Sequence, residues 1–408
     1  MDNIVSYAQT RLETFDERPF CAVDSLILSW LVYFRLPASL AEARTWEGMR
    51  LADIFRAECF EEMFDGVWDP ESSKALLTAV VASPRFRDTR ICGFTEQLDA
   101  QAEKQFAAAT FRLTPGLTHV SFRGTDSTVV GWKEDFNLAF KCPVASQQAA
   151  AEYVRAVAGQ TEGAIVVGGH SKGGNLAVYA ASKCGPDVQG RIERAYSHDG
   201  PGFRAEQLES EDFRAVEPRV EKIIPQSSVV GLLLEQHERY RIVTSSQRSV
   251  LQHDPFSWEV EGVDFKPFGQ LTFDARYLDK TLSGWIDGLS DAERERLTDA
   301  LFDILSTNDI HKMGEITEDW QKNIPAIART LAAMDPDTRA FLVKLLRQLG
   351  NLAVASVPAV IRDDIDQTTK EFGERAMGRL GEMTDGMAER ASGMVNDLLS
   401  RSGGGATS

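Results

Sequence analysis

The chain has 408 residues, 43% hydrophobic and 26% charged, which allows a substantial core and more than one average domain. A formal net charge of −17 argues against a nucleic-acid partner and against a surface drawn to anionic lipid, since both need clustered Lys and Arg. Five scattered cysteines without a CxxC pair indicate neither a zinc site nor a disulfide framework. No basic-then-apolar leader opens the sequence, and the longest apolar run, Leu26 to Phe34, is too short for a bilayer. The expectation is a soluble, cytoplasmic protein with no integral membrane span.

In chain order, residues 22–34 and 74–82 read as buried helices. "KQFAAATFRL" and "LTHVSFRG" form a predicted hairpin around Pro115-Gly116, a strong turn signal. "AAAEYVRAVAGQ" reads as a helix closed by Gly159, followed by the buried strand "GAIVVGG" and a second helix after Ser171. "IERAYSHDGPGF", "RVEKIIPQSS" and "RYRIVTSS" give three further strands. Strands alternating with helices imply a mostly parallel sheet flanked by helices. Between two of these strands, the polar stretch 203–219 reads as a helical excursion, either a solvated helix or a cover over the site.

Past residue 285 the pattern becomes helical. Ser290 and Glu293 form a capping box, and "TRAFLVKLLRQL" continues the helical reading. Phe372, Ala376, Leu380, Met383, Met387, Ala391, Met394 and Leu398 then fall on one stripe, interrupted by glycines. The expected organisation is an α/β domain over 1–285, a helical region over 286–400 and a flexible tail over 401–408. A marginal, glycine-weakened helix should pack on something: this chain, a second copy through self-association, or a partner at the C-terminal stripe.

Gly169-His170-Ser171-Lys172-Gly173 matches G-x-S-x-G, with an apolar strand before it and a helix after it. A nucleophile on so sharp a turn needs small neighbours, and the following helix aims free backbone N–H groups at developing negative charge. The competing account is a glycine-rich packing turn. Six histidines compete for the role of base: 119, 170, 198, 237, 253 and 311. The order nucleophile, acid, base removes His119; His170 sits inside the elbow; His311 lies in the helical tail; His237 reads as a helix surface. His253 stands on a loop after the last strand and is favoured. Asp199, ending a strand in "AYSHDGPGF", is the favoured acid, with Asp254 as the alternative. Upstream, Gly124 permits a turn that would present Thr125 to an oxyanion, with the Lys172 N–H as second donor and an Arg123–Asp135 ion pair bracing the loop.

"VSFRGTDSTVVGWKEDF" resembles the oxyanion segment of the class-three, fungal-type lipases, and "GGHSKGGNLA" resembles their elbow. With "NIVSYAQTRLETFDERPFCAVDSLILSWLVYF", "KIIPQSSVVGLLLEQHERYRIVTSSQ" and "LQHDPFSWEV", residues 1–285 are most similar to the bacterial Mbeg-like family of lipase-like proteins, a domain of unknown function. The resemblance implies an α/β-hydrolase fold, Ser171 as nucleophile, His253 as base, and Thr125 and Lys172 at the oxyanion hole. The sequence departs from the lipases twice. Lys172 replaces their usual Leu, which would set a charge beside the pocket mouth, and Ser227-Ser228 stand where the class-three acid is expected. "SHDGPGF" resembles the acid-bearing segment of pancreatic-type lipases, which favours Asp199. The function expected is hydrolysis of a small acyl ester, thioester or lipid-like substrate through an acyl-enzyme, with no metal or organic cofactor. A non-catalytic interaction protein on the same scaffold is the alternative.

Overall fold

The computed structural model describes residues 2–126, 128–234, 240–307, 329–330 and 334–355. An eight-stranded sheet runs in sequence order: β1 (Met49–Arg50), β2 (Arg90–Asp99), β3 (Lys104–Thr114), β4 (Leu117–Phe122), β5 (Ala164–His170), β6 (Ile192–His198), β7 (Val220–Pro225) and β8 (Tyr240–Val243). The pairs from β1 to β4 are antiparallel, and those from β4 to β8 are parallel. The hairpin expected around Pro115-Gly116 is β3–β4, with Thr114 opposite Leu117. Strand β2 was not among the expected strands. Its pairing slips between Cys92 and Thr95 beside Gly93 at φ +61°, so its alternation is broken and its far end is exposed.

Period-two alternation divides the apolar residues between two faces. Val166, Phe111 and Ile223 pack on one side with the helices Ala22–Leu31 and Pro70–Ala82. Ile165, Val167 and Phe122 pack on the other with the helices Ala145–Ala158 and Lys172–Lys183. The stretch 203–219 contributes two short helices, Ala205–Leu208 and Glu211–Val216. Leu208, Phe213 and Val216 are buried in the same cluster as the apolar face of Lys172–Lys183, so this segment is part of a packed layer and not a solvated helix. A helical layer on each side of a sheet with five consecutive parallel strands is the α/β-hydrolase fold.

Beneath the first layer lies a fully buried ion pair. Arg85 donates to both carboxylate oxygens of Asp24 at 2.8 and 2.6 Å, and its remaining donors reach the carbonyls of Glu13 and Pro19. The Tyr7 hydroxyl and the Cys21 N–H, each at 3.0 Å, and the Cys21 thiol at 3.1 Å complete the shell of Asp24. Every charge is matched, the condition under which a buried pair is tolerated.

The chain divides into two compact units, one holding Met1–Phe302 and the other holding most of the residues beyond Phe302. In the first, the capping box is formed: the Ser290 N–H and hydroxyl both donate to Glu293. In the second, the helix Pro336–Ala355 covers the expected helical stretch, with Phe341, Leu342 and Leu345 buried. The apolar stripe from Phe372 to Leu398 and the tail lie outside the described residues. Among the described residues no helix is long and apolar enough to cross a membrane.

Candidate active site

The register of the parallel strands sets where the chain leaves the sheet. Phe122 pairs with Gly169 and His170 with His198, so β4, β5 and β6 end side by side at their carboxyl edge. That edge is where open α/β sheets bind ligands. The residues just past it are Arg123-Gly124-Thr125, Ser171 and Asp199.

Ser171 is forced into φ +59°, ψ −135°, a backbone conformation that side-chain-bearing residues rarely adopt. It is partly exposed. Its N–H is held by the His198 carbonyl at 2.9 Å, and its own carbonyl accepts the Gly174 N–H at 2.8 Å. Two glycines make the turn possible. A Cβ on Gly169 would lie 2.1 Å from the Gly173 carbonyl, and one on Gly173 would lie 2.2 Å from the Phe122 oxygen. Strand, serine and helix therefore interlock.

Asp199, also at positive φ (+51°), turns its buried carboxylate toward the next loops. Oδ2 accepts Nδ1–H of His253 at 2.7 Å. Oδ1 accepts the Ser228 hydroxyl at 2.5 Å and the Gly231 N–H at 3.1 Å. Burial acts to raise this carboxyl, but the bonds from His253 and Ser228 and the His253 charge outweigh it and hold it below the usual carboxylate range. Ser228 occupies the place where the lipase resemblance expects an acid, and its hydroxyl donates to the carboxylate of Asp199, the residue that follows β6. Sequence reasoning missed that role. Asp254 instead accepts the Phe256 N–H at 3.0 Å, as a turn residue does, and burial raises its carboxyl.

His253 closes the single helical turn Ser249–His253, and its side chain is 28% exposed. The loop is pinned by Trp258, whose Nε1–H donates to the Gln252 carbonyl at 2.8 Å, and by Gln252 Oε1, which accepts the Ser227 N–H at 2.7 Å. With Nδ1 engaged by Asp199, Nε2 is the ring nitrogen left to act. Among the described residues no hydrogen bond joins Ser171 Oγ to that ring.

The third element is the loop after β4. A Cβ on Gly124 would meet Ser171 Cβ at 2.8 Å, which places this loop directly against the elbow. A chain of hydrogen bonds then runs through two residues whose linking role was not visible in the sequence. The Gly124 N–H donates to Tyr33 Oη at 3.1 Å, and Tyr33 Oη lies 3.1 Å from His170 Nδ1. His170 Nε2 lies 2.8 Å from the His253 carbonyl, which can only accept. The proton is therefore on Nε2, and the Tyr33 hydroxyl donates to Nδ1. Burial first, and the His253 charge second, drive His170 well below the usual imidazole range, so it is a neutral linker. Its ring lies 4.6 Å from the His253 ring, the residue before the serine lying against the candidate base.

Two expectations about this loop are corrected. Arg123 does not pair with Asp135; it binds Glu96 at 2.6 Å and approaches Asp126 at 3.5 Å, because β2 lies within its reach. Lys172 sets no charge beside the pocket mouth. Its ammonium is buried and bonded to Gln105 and Glu134. Asp135 accepts the Thr125 hydroxyl at 2.5 Å, so that hydroxyl is committed and only the N–H of Thr125 remains available. Among the described residues the backbone N–H groups of Thr125 and Lys172 have no acceptor.

Of the other histidines, His119 is packed between Phe20 and Phe111, and His198 bonds Ser25 at 3.1 Å. His237 and His311 lie outside the described residues. Among the described residues no group of His, Cys, Asp and Glu could hold a metal ion.

The model of the Mbeg1-like family matches residues 80–303, more than half of the chain. The chain belongs to the Mbeg1-like family. All five candidate residues of this Mbeg1-like protein fall inside the matched span. Among solved structures it is similar to a fungal lipase in complex with an inhibitor, at 14% identity and a TM-score of 0.33, covering 54% of this chain and 77% of that one. It is also similar to the Rhizomucor miehei lipase propeptide complex, at 14% identity and a TM-score of 0.32, covering 57% and 77%. A third is M37 lipase, at 15% and 0.30, covering 50% and 68%. No curated protein matches the chain.

Proposed function

We propose that this Mbeg1-like protein is a serine hydrolase that cleaves a carboxylic ester or thioester through an acyl-enzyme. The observation that carries the reading is the Asp199–His253 contact at 2.7 Å beside a serine held at φ +59°.

Ser171 Oγ attacks the acyl carbon, and its proton passes to His253 Nε2. The Asp199 carboxylate keeps the other ring nitrogen protonated and stabilises the imidazolium. The oxyanion formed on the acyl oxygen is held by the N–H groups of Thr125 and Lys172, the latter at a helix N-terminus. Collapse breaks the bond to the leaving alkoxide or thiolate, which takes the proton from His253. Water, deprotonated by the same ring, then attacks the acyl-serine and restores the hydroxyl. A small acyl or lipid-like substrate fits this chemistry, and every group it requires comes from the chain itself.

A panel of nitrophenyl esters and acyl thioesters of increasing chain length tests the reading. Hydrolysis of at least one class by the wild type, and its loss in Ser171→Ala, is expected. No hydrolysis by a folded wild type would favour the interaction-protein alternative.

A further inference from the structure

We propose that the Lys172 side chain is a positioning group that locks the two oxyanion amides into one unit, an inference resting on the hydrolase reading above. Lys172 follows the candidate nucleophile and lends its own N–H to the oxyanion, yet its side chain turns into the protein. Nζ donates to Gln105 Oε1 at 2.8 Å, to the Gln105 carbonyl at 3.1 Å and to Glu134 Oε2 at 3.0 Å. Three acceptors meet the three donors of an ammonium. Glu134, itself fully buried, also accepts the N–H groups of Gln105 at 3.0 Å and Ser146 at 2.8 Å. One side chain thus ties the first turn of the elbow helix to β3 and to the helix Val129–Asn137.

The residue after Glu134 completes the link. Asp135 receives the Thr125 hydroxyl on Oδ2, while its Oδ1 accepts no hydrogen bond and faces the Lys172 ammonium at 3.8 Å. Thr125, the other amide donor, is therefore held through Asp135 by the charge on Lys172. Packing does not call for a lysine here. Apolar side chains of similar volume at 172 and 134 would fill the space without the cost of desolvating two charges, and buried pairs replaced in that way are often no less stable.

The groups facing Asp135 are Lys172 from the elbow helix, Glu134 from its own helix, His253 from the base loop and the Thr125 hydroxyl. Burial pushes its carboxyl up to about 6, against the pull of Lys172 and Thr125. Removing the lysine charge lets that carboxyl rise further. Once protonated, Asp135 is no longer a charged acceptor, and Thr125 is less firmly placed.

The test uses the full chain as Lys172→Met and, if the single variant fails to fold, as Lys172→Met/Glu134→Gln, which removes the carboxylate bonded to the ammonium and leaves Asp135 as the one carboxylate facing the vacated site. With a nitrophenyl ester, kcat should fall about tenfold or more, short of the roughly hundredfold to thousandfold cost of deleting an oxyanion donor outright, while KM stays within about twofold. The acid limb of kcat should move to higher pH, and carbon-13 titration of Asp135 should move the same way. Folded variants with wild-type kcat and an unmoved acid limb overturn the Lys172 role alone. A wild type that neither hydrolyses an ester nor takes up a fluorophosphonate overturns the hydrolase reading and this role with it.

Discussion

His253 Nδ1 donates to Asp199 Oδ2 at 2.7 Å, although 54 residues separate the two in sequence. The bond fixes the tautomer that leaves Nε2 free. Asp199→Asn should keep the fold and lower kcat by roughly three to four orders of magnitude, since an amide can present its N–H and favour the wrong tautomer. Asp254→Asn should change kcat little, because that carboxylate caps its own turn. Steady-state kinetics of both variants on one ester checks the assignment. Full activity in the first with loss in the second would transfer the role to Asp254.

Ser228→Ala removes one of two donors to Asp199 Oδ1 while Gly231 keeps the other. A weaker hold on the carboxylate should lower kcat by about tenfold, the scale of one charge-assisted hydrogen bond. Since Ser228 helps to depress the Asp199 carboxyl, its loss should also move that titration upward. Kinetics and carbon-13 titration of Asp199 read the two effects.

Tyr33→Phe cuts the link between the loop after β4 and the loop that carries His253, leaving the Gly124 N–H and His170 Nδ1 without their partner. Leaving such groups unsatisfied costs about 1 to 3 kcal/mol. Thermal unfolding should report the loss, and kcat should fall more than KM rises.

Acid should destabilise the fold. Burial lowers His119 to about 3, and burial likewise lowers His170 and His198. Below an unfolded value near 6.5 the unfolded chain takes up protons that the native state refuses, so stability falls as pH drops from there. Asp135, raised to about 6, works the other way over its narrower window between the ordinary carboxylate value and about 6. Asp254, also raised by burial, works in the same direction as Asp135, and three groups against two give a net fall. Urea midpoints at pH 7.5 and 5 should show it, with a smaller difference in His119→Gln.

Arg85→Met would leave Asp24 buried and uncompensated, at a cost of about 3 to 5 kcal/mol. A large loss of melting temperature in that variant, with partial recovery in Arg85→Met/Asp24→Leu, is the expected pattern.

The parts of this molecule that were legible in its sequence are those set by short-range chemistry. The turn at Ser171 announces itself because strand, glycines and helix are contiguous, and the β3–β4 hairpin because Pro115-Gly116 permits little else. Asp199 and His253 could be paired because each ends or follows a strand on a turn-rich segment. What could not be read depends on distant neighbours. The burial of Lys172 needs Gln105 and Glu134, and the pairing of Arg123 with Glu96 needs β2, a strand whose bulge breaks its alternation and hides it in the sequence. Tyr33 carries no local mark of its role; only the packing of its segment under the elbow places its hydroxyl between Gly124 and His170.

The central claim is that Ser171 is an activated nucleophile. Incubating the folded chain with a fluorophosphonate and mapping the adduct by peptide mass spectrometry measures that directly. The modification should sit on Ser171 and vanish in Ser171→Ala, with slower labelling in Asp199→Asn. A folded wild type left unlabelled, or labelled at another residue, would contradict the account.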